Sequence, residues 1–322
     1  MPLTFDMPLE KLHTYEGRTP RPADFDEFWS RSIAELDGIA PDVHTEPADF
    51  SCSFAACEDL YFTSTDNVRV HGKLLRPAKP NGAAVLSFHG YTGNAGEWVA
   101  LLPYAAAGIT VAAMDCRGQG GLTDDPGQRK GTSLHGHIIR GLESALQGEP
   151  ERFIYRNIFL DTVQFSRVIK ALPDVDPSRV GATGWSQGGG LTLACAALDP
   201  EICRIAPVYP YLCDYKRVWE MDLAVHAYNG LREFFRHHDP LHERETEIFE
   251  ALGYIDVQHL TDRIRAQTLL GIGLTDQTCP PSTQFAAYNR ISAPKELAVY
   301  PDFGHEVLPG HRDRIFQYFT AL

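Results

Sequence analysis

Residues 179–198 read RVGATGWSQGGGLTLACAAL, and this stretch decides the fold. The segment 179–183 is a short run that reads as a buried strand. The segment 187–198 reads as a helix. Between them lies Gly184-Trp185-Ser186-Gln187-Gly188, a G-x-S-x-G pattern. Alone the pattern is weak, and a turn serine would satisfy it. A strand before it and a helix after it change its meaning. That turn lifts a strained serine to the carboxyl end of a sheet, with small residues on each side so that strand and helix can pass closely.

Working outward, short apolar runs at 83–89, 109–114, 205–208, 268–272 and 296–300 read as further strands. Helical periodicity falls between them at 159–172, 187–198 and 285–290. Buried strands alternating with amphipathic helices predict an α/β fold with a mostly parallel sheet covered on both faces. Residues 60–64 and 68–76 alternate about Asp66-Asn67 and predict a hairpin that adds antiparallel strands at one edge. The whole chain, 1–322, reads as one domain. Residues 1–50 form an arm with a helix at 24–36 that places Phe25, Phe28 and Trp29 on one face. Residues 117–157 are Gly-rich and irregular. Residues 211–262 are helical, charged and aromatic, without a strand, and are expected to cap the site.

Apolar residues make up 43% of the chain, enough for a sizeable core. With 42 acids against 29 bases, the net charge of -13 speaks against nucleic acid and anionic membranes as partners. The opening MPLTFDMPLE shows no secretory pattern, and no apolar run is long enough to span a bilayer. The seven cysteines form no CxxC pair. A reducing, cytoplasmic setting is the expectation.

A serine hydroxyl needs a base within hydrogen-bond reach and an acid to orient that base. In a sheet of this kind the order along the chain is Ser, acid, His. After Ser186, the strand at 268–272 leads to Asp276 and the strand at 296–300 leads to His305. Both lie just past strand ends, on the rim that carries Ser186. Asp276 also suits a turn or helix cap ahead of Pro280-Pro281. Asp302 is a rival acid on the loop of His305. The remaining histidines, such as His237 and His238, are read as structural. Negative charge on a carbonyl oxygen needs amide donors. The amide of Gln187 follows the nucleophile, and the run SFHGYTG at 87–93 nominates the amide of Tyr91. His305-Glu306 does not continue into HExxH, and neither GxGxxG nor a P-loop occurs, so no metal and no cofactor is expected. The expected fold is thus that of the α/β-hydrolases, and the expected chemistry is serine acyl transfer. A peptidase of the same fold is the nearest rival. A non-catalytic binding module on a hydrolase scaffold is the rival from another class.

The sequence resembles the acetyl xylan esterase and cephalosporin C deacetylase group, carbohydrate esterase family seven. Arg117-Gly118-Gln119 matches that family's RGQ, residues 184–188 its GxSQG and His305-Glu306 its closing HE. The opening FDMPLEKLHTYEGRTPRPADFDEFW (5–29) looks like its N-terminal arm. GLTDQTCPPSTQFAAYN (273–289) looks like its acid loop and following helix. The similarity runs from near residue 5 to the end. The resemblance implies Ser186, Asp276 and His305 as catalytic residues, Tyr91 and Gln187 as oxyanion donors, and Arg117 and Gln119 as structural supports. With its position, it also nominates Tyr211 as a wall of the acyl pocket. It further implies small acetylated sugars and cephalosporin C as substrates, peroxide capture of the acyl-enzyme, and a homohexamer with inward-facing sites. Trp185 departs from the small residue common before the serine in similar enzymes, and its ring is expected to reshape the packing beneath the elbow.

Overall fold

The structure, a computed structural model, describes residues 5–124 and 136–322. Part of the Gly-rich stretch anticipated at 117–157 therefore lies outside the described residues. A nine-stranded sheet runs in the order β1-β2-β3-β5-β4-β6-β7-β8-β9. The strands are β1 His44–Pro47, β2 Ala55–Thr63, β3 Arg69–Pro77, β4 Gly82–Phe88, β5 Thr110–Met114, β6 Val175–Trp185, β7 Arg204–Val208, β8 Gln267–Gly273 and β9 Lys295–Tyr300. From β5 through β9 all neighbours are parallel, whereas β1, β2, β3 and β5 pair antiparallel in turn. The sequence TVAAM of β5 is buried throughout, as an interior strand covered on both faces requires.

The helices are α1 Leu9–Leu12, α2 Phe25–Asp37, α3 Leu102–Ala106, α4 Leu142–Ala145, α5 Ile154–Lys170, α6 Gln187–Leu198, α7 Tyr215–Glu220, α8 Asn229–His238, α9 Glu245–Leu252, α10 Pro281–Arg290 and α11 His311–Thr320. Every residue of α6 is buried, which explains why its sequence is apolar and small on all sides. It packs against β6, β7 and α5 in the main core. A second core forms where Phe319 and Ile315 of α11 meet Val85 of β4 and Val208 of β7.

The arm expected over 1–50 needs a corrected boundary. Helices α1 and α2 lie on the body, but His44–Pro47 joins the sheet as its edge strand beside β2. This strand has no alternation to announce it, because most of its residues are exposed. The helix α2 buries Phe25, Phe28 and Trp29. Trp29 stacks on Phe159 of α5 at 5.8 Å and its indole N–H donates to the Tyr254 carbonyl at 3.1 Å. The arm thereby ties α5 to the segment 211–262, which contains α7, α8, α9 and short turns and no strand. The hairpin turn uses Asp66 and Asn67, both at φ 57°. Helix α5 starts five residues before the predicted 159, and α11 was not anticipated.

Candidate active site

The carboxyl ends of the parallel strands gather the predicted residues on one rim. Ser186 follows β6, Asp276 follows β8, His305 follows β9, Tyr91 follows β4 and Arg117 follows β5. Ser186 stands at φ 58° and ψ -118°, outside the regions a non-glycine residue ordinarily occupies. Such a conformation costs about 1–3 kcal/mol and persists only where its surroundings hold it. Here the Ser186 amide donates to the Val208 carbonyl at 3.0 Å. Its own carbonyl accepts from the amides of Gly190 at 3.1 Å and Tyr211 at 3.0 Å. A Cβ on Gly188 would stand 2.0 Å from the Phe88 carbonyl oxygen, so only glycine lets the helix start so close to β4.

Asp276 is fully buried. Its Oδ2 accepts from His305 Nδ1 at 2.8 Å, while Oδ1 accepts the amides of Thr278 at 2.9 Å and Cys279 at 2.8 Å. The turn role and the histidine partnership, posed as alternatives from the sequence, occupy the two oxygens of one carboxylate. With Nδ1 committed to donation, Nε2 is the ring nitrogen left to take a proton. The His305 ring lies 4.5 Å from that of Tyr209, whose amide donates to the Gly271 carbonyl. The loop that leans on His305 thus continues within two residues to Tyr211, bonded to the Ser186 carbonyl. The Cys279 thiol lies within 4.8 Å of donor atoms of both Asp276 and His305. Asp302 is exposed.

Asp276, Cys279 and His305 could in principle converge on a metal ion. Their donor set fits one poorly. Two amides and an imidazole already engage Asp276, and burial pushes the Cys279 thiol well above its ordinary value, which opposes the thiolate a metal would need.

Among the described residues, neither the Tyr91 nor the Gln187 amide has a hydrogen-bond acceptor. The Gln187 side chain is buried, accepts from the Tyr155 hydroxyl at 2.8 Å and bonds reciprocally with the Gln119 amide. Gln119 also accepts from the Thr92 amide at 2.9 Å, joining its loop to that of Tyr91. Arg117 is buried and grips both oxygens of Asp161, at 2.7 and 2.5 Å, and Thr65 Oγ1 at 3.0 Å. Tyr211 is fully buried, its ring 6.0 Å from that of Tyr91 and its hydroxyl donating to the Ala227 carbonyl. Trp185 lies against Tyr209 at 5.5 Å and beneath the Arg312 guanidinium at 5.3 Å. Sequence reasoning missed Tyr209, Cys279, Asp115 and His71. Asp115 stands just past a strand-like run and His71 within one, and their partners come from other strands and loops.

A strained serine at a strand-to-helix elbow, with an acid and a histidine delivered by later strands of the same sheet, defines the α/β-hydrolase class. Within it, the acetyl xylan esterase (AXE1) family model matches residues 1–322, and the chain belongs to that family. Acetyl xylan esterase 1 from Thermoanaerobacterium sp. JW/SL YS485 is 48% identical, with a TM-score of 0.96 over 98% of this chain and 99% of that one. The acetyl xylan esterase from Paenibacillus sp. R4 is 34% identical, with a TM-score of 0.91 over 98% and 99%. Acetyl esterase Axe7A of Xylanibacter ruminicola is 24% identical over 298 residues. Those residues make up 88% of this chain, which spans only 63% of that relative's length.

Proposed function

We propose that the protein is a carboxylic ester hydrolase that removes acetyl groups from small acetylated substrates through an acetyl-Ser186 intermediate. The observation that carries this reading is the 2.8 Å bond from His305 Nδ1 to buried Asp276 on the rim that holds strained Ser186. In this reading Nε2 of His305 takes the Ser186 proton as Oγ attacks the acetyl carbonyl. Asp276 fixes the imidazole tautomer and stabilises its positive form. The amides of Tyr91 and Gln187 bind the oxyanion, each contributing about 3 kcal/mol. His305 then protonates the departing sugar hydroxyl, and water repeats the sequence on the acetyl-enzyme. Arg117 and Gln119 support the loops, and Tyr211, at the base of the 211–262 insertion, limits the acyl group to short chains.

The two solved relatives are named as acetyl xylan esterases, which favours acetylated xylo-oligosaccharides as substrates. The acetyl ester of cephalosporin C and a homohexameric assembly belong to the same reading through the family resemblance, and a cytoplasmic setting belongs to it through the cysteine usage. Among the described residues no helix is long and apolar enough to cross a membrane.

A panel of acetyl, butyryl and peptide-anilide substrates on the purified protein, with Ser186→Ala beside it, tests the proposal. Acetyl esters should be preferred, and Ser186→Ala should lower kcat by about 10⁶-fold and abolish fluorophosphonate labelling. Preferential cleavage of anilides would establish the peptidase instead, and a wild type that neither turns over esters nor labels would be a binding module. Mass in solution checks the assembly.

A further inference from the structure

A carboxylate outside the nucleophile's own set ties together the two loops that frame the oxyanion donor. Asp115 follows β5 and is buried. Its Oδ1 accepts the Ala95 amide at 2.5 Å, and its Oδ2 accepts the Leu122 amide at 2.9 Å and His71 Nδ1 at 2.6 Å. Ala95 closes the loop that starts at His89 and carries Tyr91. Leu122 lies on the loop that carries Arg117 and Gln119. The loops also touch directly, the Gly120 amide donating to the Gly93 carbonyl at 2.9 Å. Gly121 makes the room, since a Cβ there would stand 2.0 Å from the Asp115 carboxyl carbon.

His71, on β3, continues the chain outward. Its Nε2 meets Asp59 Oδ1 of β2 at 3.1 Å. Both ring nitrogens face carboxylates, and only the imidazolium donates to both. Burial alone would push this imidazole down. The hydrogen bonds and charges of Asp115 and Asp59 outweigh burial and hold it above the ordinary histidine value. The other groups around it are Tyr61 of β2, 5.1 Å away ring to ring, and Lys73 and Glu97 in the cleft that Asp59 and His71 line.

We propose that Asp115, charge-balanced by His71 and through it by Asp59, is the positioning residue for the oxyanion donor at Tyr91. An amide stabilises developing charge only at about 2.7–3.1 Å from where that charge appears. Asp115 fixes where the Tyr91 loop ends, and an unbalanced buried carboxylate would draw in water or a proton and release the Ala95 and Leu122 amides. The idea rests on the esterase reading only for the name of the reaction.

The test compares wild type with Asp115→Asn, His71→Gln and Asp59→Asn. One assay reads kcat and KM on 4-nitrophenyl acetate. The other reads the second-order rate of Ser186 phosphonylation by a fluorophosphonate, which needs the same oxyanion geometry but no acetyl specificity. Both kcat and phosphonylation should fall about 10–100-fold in Asp115→Asn and His71→Gln, and about 3–10-fold in Asp59→Asn, with KM within about twofold. The alkaline fall-off in phosphonylation rate should move to lower pH in Asp59→Asn, because one carboxylate that favours the imidazolium is gone. Circular dichroism and melting curves identify the variants that are folded at the assay temperature. Folded Asp59→Asn and His71→Gln with wild-type phosphonylation rates at every pH would overturn the proposal, as would a rise in KM at constant kcat. A wild type that is phosphonylated but spares acetyl esters would sink the esterase reading and leave the phosphonylation comparison to judge Asp115. A wild type inert to the reagent overturns both.

Discussion

Gln187 serves two purposes on different atoms. Its main-chain amide is the proposed oxyanion donor, while its buried side chain satisfies Gln119 and the Tyr155 hydroxyl. Gln187→Met keeps the amide and the approximate volume but strands those partners. Urea unfolding should show a loss of about 2 kcal/mol, with kcat reduced less than about tenfold. A hundredfold loss of kcat at unchanged stability would contradict this division. Trp185 touches Tyr209, which leans on His305, the proposed base. Trp185→Ala should lower acetate turnover several-fold while one fluorophosphonate per chain still reacts, measured by intact mass. The placement of Ser186, Asp276 and His305 just past strand ends was legible because chain order and strand ends limit where such residues can stand. Asp115 and His71 were not, because 44 residues separate them and only the antiparallel pairing of β3 with β5 brings them together.

Among the elements, α2 shows how an amphipathic stripe read from sequence finds its partner. The spacing of Phe25, Phe28 and Trp29 predicted a buried face, but not that the face would bridge α5 and the 211–262 insertion. Trp29→Ala should cost about 3–5 kcal/mol. It should also speed amide exchange around residues 253–255, where the Tyr254 carbonyl loses the indole bond. Exchange there at the wild-type rate would show that the insertion holds itself in place. The central strands were readable as apolar runs, since burial on both faces leaves few alternatives for their composition. Edge strand β1 was not, because a strand paired on one side and wet on the other needs no apolar pattern. Helix α11 did carry a signal in the spacing of His311, Ile315 and Phe319, the residues it buries.

For the molecule as a whole, the Asp115–His71 pair makes stability depend on pH from two directions. Burial opposes the Asp115 charge, but the bonds from His71 and the Leu122 and Ala95 amides prevail and hold it below the ordinary 3.8. That contribution is present above the unfolded value and is lost as pH falls through the lowered one. His71 is raised above the ordinary 6.5, so its contribution is complete below that value and is lost as pH rises through the raised one. The melting-temperature gap between wild type and His71→Gln should therefore be widest between about pH 4 and 6.5 and should narrow on both sides. A gap independent of pH would remove His71's charge from the account. The two margins of the sheet have a different consequence. On one, β1 is four residues long and ends at Pro47, which has no amide hydrogen to offer a newcomer. On the other, β9 begins with exposed Lys295 and Glu296. A stray strand from a neighbouring molecule finds neither length nor neutral ground on which to zip, so concentrated solutions should stay clear of fibrils even though the hydrogen-bonded ladder is nine strands wide.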